Sequence, residues 1–366
     1  MMFSAPVTNY GSGTLMVMAG GTGGHVYPAM AVADFMKARG WNVVWLATEG
    51  GMENKLIAGK NYSKAMMTMR GVRGNGLIGW LVLPIKLAIA FKQSFAAIRH
   101  FQPTVVLGMG GFAAFPGGLM AKLLGKPLVI HEQNSIAGLS NKTLSVFANR
   151  VLAAFPLAFG DKALLVGNPV RQEITQVAAP EQRYGKRKGN LKLLVVGGSL
   201  GAAALNEVLP KALAELPKDV VFDVVHQAGE KHIAALQANY HVAGVQADAK
   251  TFIHNMAEMY AWADVVICRA GALTVAELAC VGVASVLVPF PYAVDDHQTY
   301  NAKYLSDAGA AKLIQQSEFN VQKAAEILRG LTRENCLEMA LKAKQLAKPE
   351  ATQTVAKICM EVALEA

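Results

Sequence analysis

Short β-type runs that end in glycine-rich turns and open into helical patterns recur along this chain, and that recurrence limits it to one class of fold. Leu15–Ala19 (LMVMA) runs into Gly20–Gly24 (GGTGG), and a helical pattern over Ala29–Arg39 follows. Val43–Ala47, Thr104–Leu107 and Leu128–Ile130 read as further buried strands, with a helical stretch at Ala113–Leu124. The second half repeats the theme with Leu191–Val196, Val220–His226, Val265–Ile267 and Ala284–Val288. Strand–helix alternation of this kind predicts parallel sheets with helices on both faces. Two internal echoes divide it into two domains. GGTGG returns as GGSLG at Gly197–Gly201, and VVLGMGGF from Val105 returns as VVICRAGA from Val265. The expected architecture is α/β, two doubly wound, Rossmann-like domains. Their link falls near Gly167–Arg171, giving residues 1–168 and 169–349, followed by an amphipathic segment at about 350–366. In that segment Val355, Ile358, Cys359 and Val362 share one helical face. It must dock on a domain, and packing back on the first is one arrangement.

A net charge of +9 favours anionic partners such as nucleotides, phosphorylated substrates or an anionic membrane surface. Nucleic acid is set aside, because no long Lys/Arg run or aromatic-basic interleaving is present, and the basic stretch Arg183–Lys188 reads as a solvated loop. Cys268, Cys280, Cys336 and Cys359 form no CxxC pair, which fits a reducing, cytoplasmic setting better than disulfides or zinc. The first residues, MMFSAPVTNYGSG, lack the pattern of a signal peptide. Leu77–Phe91 (LIGWLVLPIKLAIAF) is nearly all apolar but is broken by Pro84 and carries Lys86, and it falls short of the roughly 20 residues a spanning helix needs. Core-packing helices are one reading. An interfacial patch is the other, because Arg70, Arg73, Lys86, Lys92 and Arg99 surround the segment.

At the carboxyl edge of a parallel strand, a glycine turn lets backbone N–H groups approach a phosphate, and the following helix adds positive potential. Gly20–Gly24, Gly108–Gly111 and Gly197–Gly201 all have this placement, with Pro28 and Pro116 read as opening-turn prolines. They are not the dinucleotide fingerprint, since GxGxxG read from Gly21 meets Val26, and no Walker lysine follows. Polar residues gather beside them. His25 follows the first turn, and His131-Glu132-Gln133-Asn134 ends a strand. Glu277 lies inside the helix after Gly271, as a surface carboxylate or a ribose hydroxyl acceptor. Asp295-Asp296-His297 lacks a third ligand at diagnostic spacing, so no metal site is expected there.

Taken together, GGTGGHVYPAMAVA, GMGGF, HEQNSIAGLSNK, VGNPVR, GGSLGA, FIHNM, ADVVICRAGALTVAEL and DDHQTYNA resemble the MurG family of bacterial peptidoglycan glycosyltransferases, in the family's order from residue 15 to about 311. The resemblance implies a GT-B fold, two such domains with their sheets facing a cleft. It implies inverting transfer of N-acetylglucosamine from UDP-GlcNAc to the C4 hydroxyl of undecaprenyl-pyrophosphoryl-MurNAc-pentapeptide, at the cytoplasmic face of the bacterial inner membrane. By resemblance Thr22, Gly23 and Gly24 border the donor sugar and diphosphate, Asn134 bonds the GlcNAc, and Arg171 holds the diphosphate. Ser199 falls in the uridine-diphosphate loop, and Ile253 meets uracil through its backbone. Ala272, Leu273, Thr274, Val275 and Ala276 open the helix under the nucleotide, Glu277 takes the ribose, and Gln298 contacts the donor sugar. The first two glycine turns would serve the acceptor's pyrophosphate. His25 is the candidate base for the acceptor hydroxyl, with Glu132 as its candidate partner. No cofactor or metal is expected, because N–H donors, a helix dipole and Arg171 can stabilise the leaving diphosphate. Ala270, Leu200 and His297 depart from residues seen in some relatives, so no side-chain contact is credited to them. The alternatives are a UDP-GlcNAc 2-epimerase, another transferase on this fold, or a non-catalytic nucleotide-sugar sensor.

Overall fold

The computed structural model describes residues 12–68, 82–198 and 201–365. The chain forms two compact units, Met1–Gln133 with Ala137–Pro169 and Glu350–Ala366, and Asn134–Ile136 with Val170–Pro349.

In the first unit, β1 (Thr14–Met18), β2 (Asn42–Thr48), β3 (Ser63–Met67), β4 (Val105–Gly108), β5 (Leu128–Glu132), β6 (Arg150–Ala153) and β7 (Leu164–Leu165) form one parallel sheet in the order β3-β2-β1-β4-β5-β6-β7. Leu15 through Met18 are completely buried, as a central strand covered on both faces requires. The order reverses between β1 and β4. In folds of this kind ligands bind at such a switch point, outside the strands' carboxyl ends.

Helix α1 (Gly23–Lys37) opens directly from the first glycine turn, six residues before the sequence pattern predicts. Glycines carry low helix propensity and no apolar periodicity, so they hid the first turn. Pro28 therefore lies inside the helix, not in its opening turn. Val26, Ala29, Val32, Ala33 and Met36 make the buried stripe of α1. The C-terminal helix Ala351–Leu364 packs against α1 and β4. Its Val355, Ala356, Cys359, Met360 and Val362 join the same core, with each larger side chain contributing about 1.5–3 kcal/mol. Next come α2 (Met52–Leu56), α3 (Leu83–Phe101), α4 (Ala114–Leu123) and α5 (Leu139–Leu144). Pro84 sits in the first turn of α3, where a missing N–H costs nothing; residues 77–81, Arg70 and Arg73 lie outside the described residues. Among the described residues no helix is long and apolar enough to cross a membrane.

The second unit repeats the plan. Strands β8 (Leu191–Val196), β9 (Phe222–Gln227), β10 (Asp248–Lys250), β11 (Val265–Cys268), β12 (Ala284–Leu287) and β13 (Ala311–Leu313) are parallel in the order β10-β9-β8-β11-β12-β13. Its switch point lies between β8 and β11. Sequence reading missed β3, β6, β7, β10 and β13. These are short strands toward the sheet edges; β3 (SKAMM) buries only Ala65 and Met67.

Candidate active site

In the first unit the glycine turns stand where the sheet reverses, one after β1 and one after β4. Gly111 has φ +88°, and a Cβ there would lie 2.5 Å from the Gly20 carbonyl oxygen, so only glycine lets the two turns touch. Gly110, at φ +95°, lies against the His25 ring, where a Cβ would approach Cε1 to 3.0 Å. Beneath the first turn sits a carboxylate that sequence reading passed over. Glu53 is fully buried, and its Oε1 accepts from the Thr48 N–H (2.8 Å) and hydroxyl (2.6 Å). Its Oε2 lies 3.5 Å from the Gly21 nitrogen. Thr22 is the extended residue ahead of α1, and Gly23 and Gly24 are its first residues, whose N–H groups have no acceptor within the helix.

His25 is half-buried on that first turn, and its Nδ1 lies 2.6 Å from Gln133 Oε1. The candidate partner from sequence, Glu132, holds a different post. Its Oε2 accepts from the Gly138 N–H (3.1 Å) and Asn141 Nδ2 (2.9 Å), so this carboxylate anchors the start of α5. Strand alternation explains the exchange, because adjacent residues leaving β5 point to opposite sides. Gln133 Nε2 reaches His131 Nδ1 and the His131 carbonyl oxygen, both at 3.0 Å, and His131 Nε2 lies 2.9 Å from the Gly167 carbonyl oxygen. Burial pushes the His131 imidazole down to about 4, so it is neutral at physiological pH.

In the second unit the turn after β8 holds Gly197 and Gly198, while Ser199 lies outside the described residues. Gln227, unremarked in the sequence, ties this turn to Ile253, the residue expected to meet uracil: its Nε2 donates to the Gly198 carbonyl (3.0 Å) and its Oε1 accepts the Ile253 N–H (2.9 Å). With that N–H engaged, the Ile253 carbonyl is the backbone group suited to a base N–H donor. After β11 the helix Ala272–Val281 opens from Gly271. Ala272, Leu273 and Thr274 supply its first-turn N–H groups. Val275 does not, since its N–H bonds the Gly271 carbonyl (2.9 Å) and its side chain is buried; Ala276 lies beyond that turn.

Glu277 is not a surface carboxylate. It is 5% exposed; its Oε1 lies 3.2 Å from Arg171 Nη2, and its Oε2 accepts from the Tyr260 hydroxyl at 3.2 Å. Burial raises Glu277 above the usual carboxylate range, opposed by Arg171 and Tyr260. Burial alone would lower Arg171, and Glu277, with Glu173 and Tyr260, more than offsets it, so that guanidinium stays charged. Asn134 joins this unit through Asn301, whose Nδ2 contacts Asn134 Oδ1 (3.3 Å) and the Ala270 carbonyl (3.2 Å), while its Oδ1 accepts the Ser135 N–H (2.8 Å). Gln298 accepts the Phe290 N–H through Oε1 at 2.9 Å, which directs its amide nitrogen elsewhere. Among the described residues no group of three or more metal-ligating side chains is present.

Comparison with known proteins supplies the family. The glycosyltransferase family 28 N-terminal domain matches residues 15–153, and the family 28 C-terminal domain matches residues 192–355. A protein of Nitrosospira multiformis named UDP-N-acetylglucosamine–N-acetylmuramyl-(pentapeptide) pyrophosphoryl-undecaprenol N-acetylglucosamine transferase is 55% identical, over 96% of this chain and 99% of its own length. A protein of that name from Azoarcus is 54% identical over 96% and 98%. The crystal structure of Acinetobacter baumannii MurG superposes with a TM-score of 0.85 at 43% identity, over 95% of this chain and 99% of its own. The UDP-GlcNAc 2-epimerase of Neisseria meningitidis, at 12% identity and a TM-score of 0.62, shares the fold alone. Two parallel-sheet Rossmann-like domains of the GT-B type, with both family domains in order and relatives identical at more than half of their positions, place the chain in glycosyltransferase family 28.

Proposed function

We propose that this protein transfers N-acetylglucosamine from UDP-GlcNAc to the C4 hydroxyl of a polyprenyl-pyrophosphoryl-MurNAc-pentapeptide, the step that makes lipid II for peptidoglycan. The observation that carries this reading is identity above 50% with relatives so named across 96% of the chain. The site chemistry supports it. As the acceptor oxygen bonds to the anomeric carbon, its proton passes to His25 and the UDP oxygen leaves with the bonding pair. Inversion follows from that single displacement. In-line transfer places negative charge on the departing diphosphate, and Arg171 with the first-turn N–H groups of Ala272, Leu273 and Thr274 offers it positive potential. Glu277 takes the ribose hydroxyls on lone pairs that Arg171 and Tyr260 leave available. Asn134 and Gln298 hold the sugar, and Ser199 belongs to the nucleotide loop. Thr22, Gly23 and Gly24 present N–H groups to phosphate oxygens beside His25. No step of this route calls for a metal.

The acceptor's lipid tail requires access to a bilayer, and the first unit supplies an apolar surface for it. Ile85, Ile89 and Phe95 on α3, Leu123 on α4 and Leu139 on α5 are all exposed, as are Val146 and Phe147 just beyond. These helices pack side by side and carry Lys86, Lys92, Arg99, Lys122 and Lys142. That composition fits peripheral binding to the anionic cytoplasmic face of the inner membrane. The test uses radiolabelled UDP-GlcNAc and a short-chain lipid acceptor, with and without chelator. Label appearing on the acceptor, undiminished by chelator, is expected. Epimer formed from UDP-GlcNAc without acceptor, and no transfer, would sink the reading. In the same assay His25→Ala lowers turnover by about 10²–10⁴-fold, with UDP affinity retained.

A further inference from the structure

We infer that Gln133 and His131 form a positioning relay that fixes the tautomer of His25, leaving Nε2 as its proton-accepting nitrogen. The inference rests on the reading of His25 as the base and goes beyond it, because it names which ring atom is available and what enforces this.

Two backbone carbonyls anchor the argument, since a carbonyl oxygen can only accept. At one end, His131 Nε2 lies 2.9 Å from the Gly167 carbonyl oxygen and must carry a hydrogen there. A neutral imidazole has one N–H, so His131 Nδ1 is an acceptor. The depressed pKa of this fully buried ring keeps it in that state. At the other anchor, the Gln133 end that faces the His131 carbonyl (3.0 Å) must be its NH₂, and the same nitrogen meets His131 Nδ1 at 3.0 Å. Both contacts agree on one orientation of the amide. Gln133 Oε1 is then the atom 2.6 Å from His25 Nδ1, and an amide oxygen only accepts, so His25 carries its hydrogen on Nδ1. Its lone pair lies on Nε2. Gln133 is 1% exposed, and Gly110 packs on the ring's edge, so both amide and imidazole are held in place.

The relay suits a base that gains a proton during transfer. When Nε2 accepts the acceptor hydroxyl's proton, the Nδ1–H to Gln133 Oε1 bond persists and the glutamine need not turn. A carboxylate in that place would add a charge; a neutral amide orients the ring without one. Gln133 touches no reacting atom in this scheme and is a positioning residue.

The direct test is the tautomer itself, read from imidazole ¹⁵N shifts of the full-length protein at about pH 9, well above the ordinary histidine range. The His25 signals are identified by their loss in His25→Ala. Protonated Nδ1 with bare Nε2 on His25 is expected, and a hydrogen on His25 Nε2 overturns the relay. In Gln133→Met, which keeps the length of the side chain, kcat should fall about 10–100-fold while KM for UDP-GlcNAc moves less than about threefold. Wild-type kcat in that variant also overturns it. The two readings fail separately. Near wild-type turnover in His25→Ala removes the base and leaves the tautomer to be judged by ¹⁵N. A large loss in His25→Ala with an indifferent Gln133→Met keeps the base and removes the relay.

Discussion

Replacing Glu277 separates a structural carboxylate from a nucleotide-binding one. Alanine takes the Glu277 carboxylate from Arg171, whose side chain is 29% exposed and also lies 3.9 Å from Glu173, and from the hydroxyl of Tyr260, a residue 1% exposed. Breaking a buried ion pair by removing one partner costs about 3–5 kcal/mol, and a buried hydroxyl left unsatisfied about 1–3 kcal/mol. The two costs overlap at one carboxylate, and Arg171 keeps some water, so a loss of about 3–4 kcal/mol is expected for the second unit. Glutamine keeps an acceptor oxygen and sheds the charge whose burial raises the Glu277 pKa, so Glu277→Gln should cost about 1–2 kcal/mol. Urea unfolding, with hydrogen exchange across Ala272–Val281 to localise the change, measures both. UDP affinity is measured by calorimetry under conditions where each variant is folded. Loss of the charge-assisted bonds to two ribose hydroxyls weakens binding by about 10–100-fold in the alanine variant and less in the glutamine one. A stability loss with UDP affinity unchanged would refute the ribose assignment. A stability loss below about 1 kcal/mol would refute the ion-pair reasoning.

Acid should destabilise the fold through its buried histidines. Burial lowers His131 to about 4 and His226 to about 3, below their unfolded value, so their contribution is complete above about pH 6.5 and is lost as pH falls from there toward those values. Each histidine adds up to about 1.4 kcal/mol per pH unit to the slope, and a flat urea-stability profile from about pH 6.5 to 4.5 would contradict this. Gly111→Ala adds a Cβ 2.5 Å from the Gly20 carbonyl oxygen at φ +88°. It should cut transfer by at least about tenfold and cost about 2–4 kcal/mol of stability, from backbone strain and the clash together; unaltered transfer would show that contact between the turns is dispensable. The double variant Ile85→Glu with Leu123→Glu should lose sedimentation with phosphatidylglycerol vesicles, and undiminished binding would move the membrane surface elsewhere.

What the sequence revealed and what it withheld follow from the range of the interactions involved. Two parallel sheets were legible because buried strands such as Leu15–Ala19 (LMVMA) and Leu193–Val196 (LLVV) are continuous apolar runs, and each is followed directly by glycine. Edge strands lacked that signature: DAK at β10 and AKL at β13 are too short and too polar to stand out. In α1 the glycines that marked the turn also concealed the start of the helix. The site divides in the same way. His25 and Glu277 carry distinctive chemistry and stood out individually, and Arg171 came with the family resemblance, but their partners are set by three-dimensional register. Glu132 was a candidate companion for His25, and no pairing between them can be read from the sequence. One residue of strand alternation assigns that post to Gln133 and sends the carboxylate to α5. Arg171 and Glu277 read as separate ligands of diphosphate and ribose; 106 residues apart, they prove to be bonded to each other. A nucleotide held there as proposed would therefore meet a pair that is already formed. Each member's contribution to nucleotide affinity is then a difference between two bonded states, which is why Glu277→Gln, and not alanine alone, is needed to isolate it.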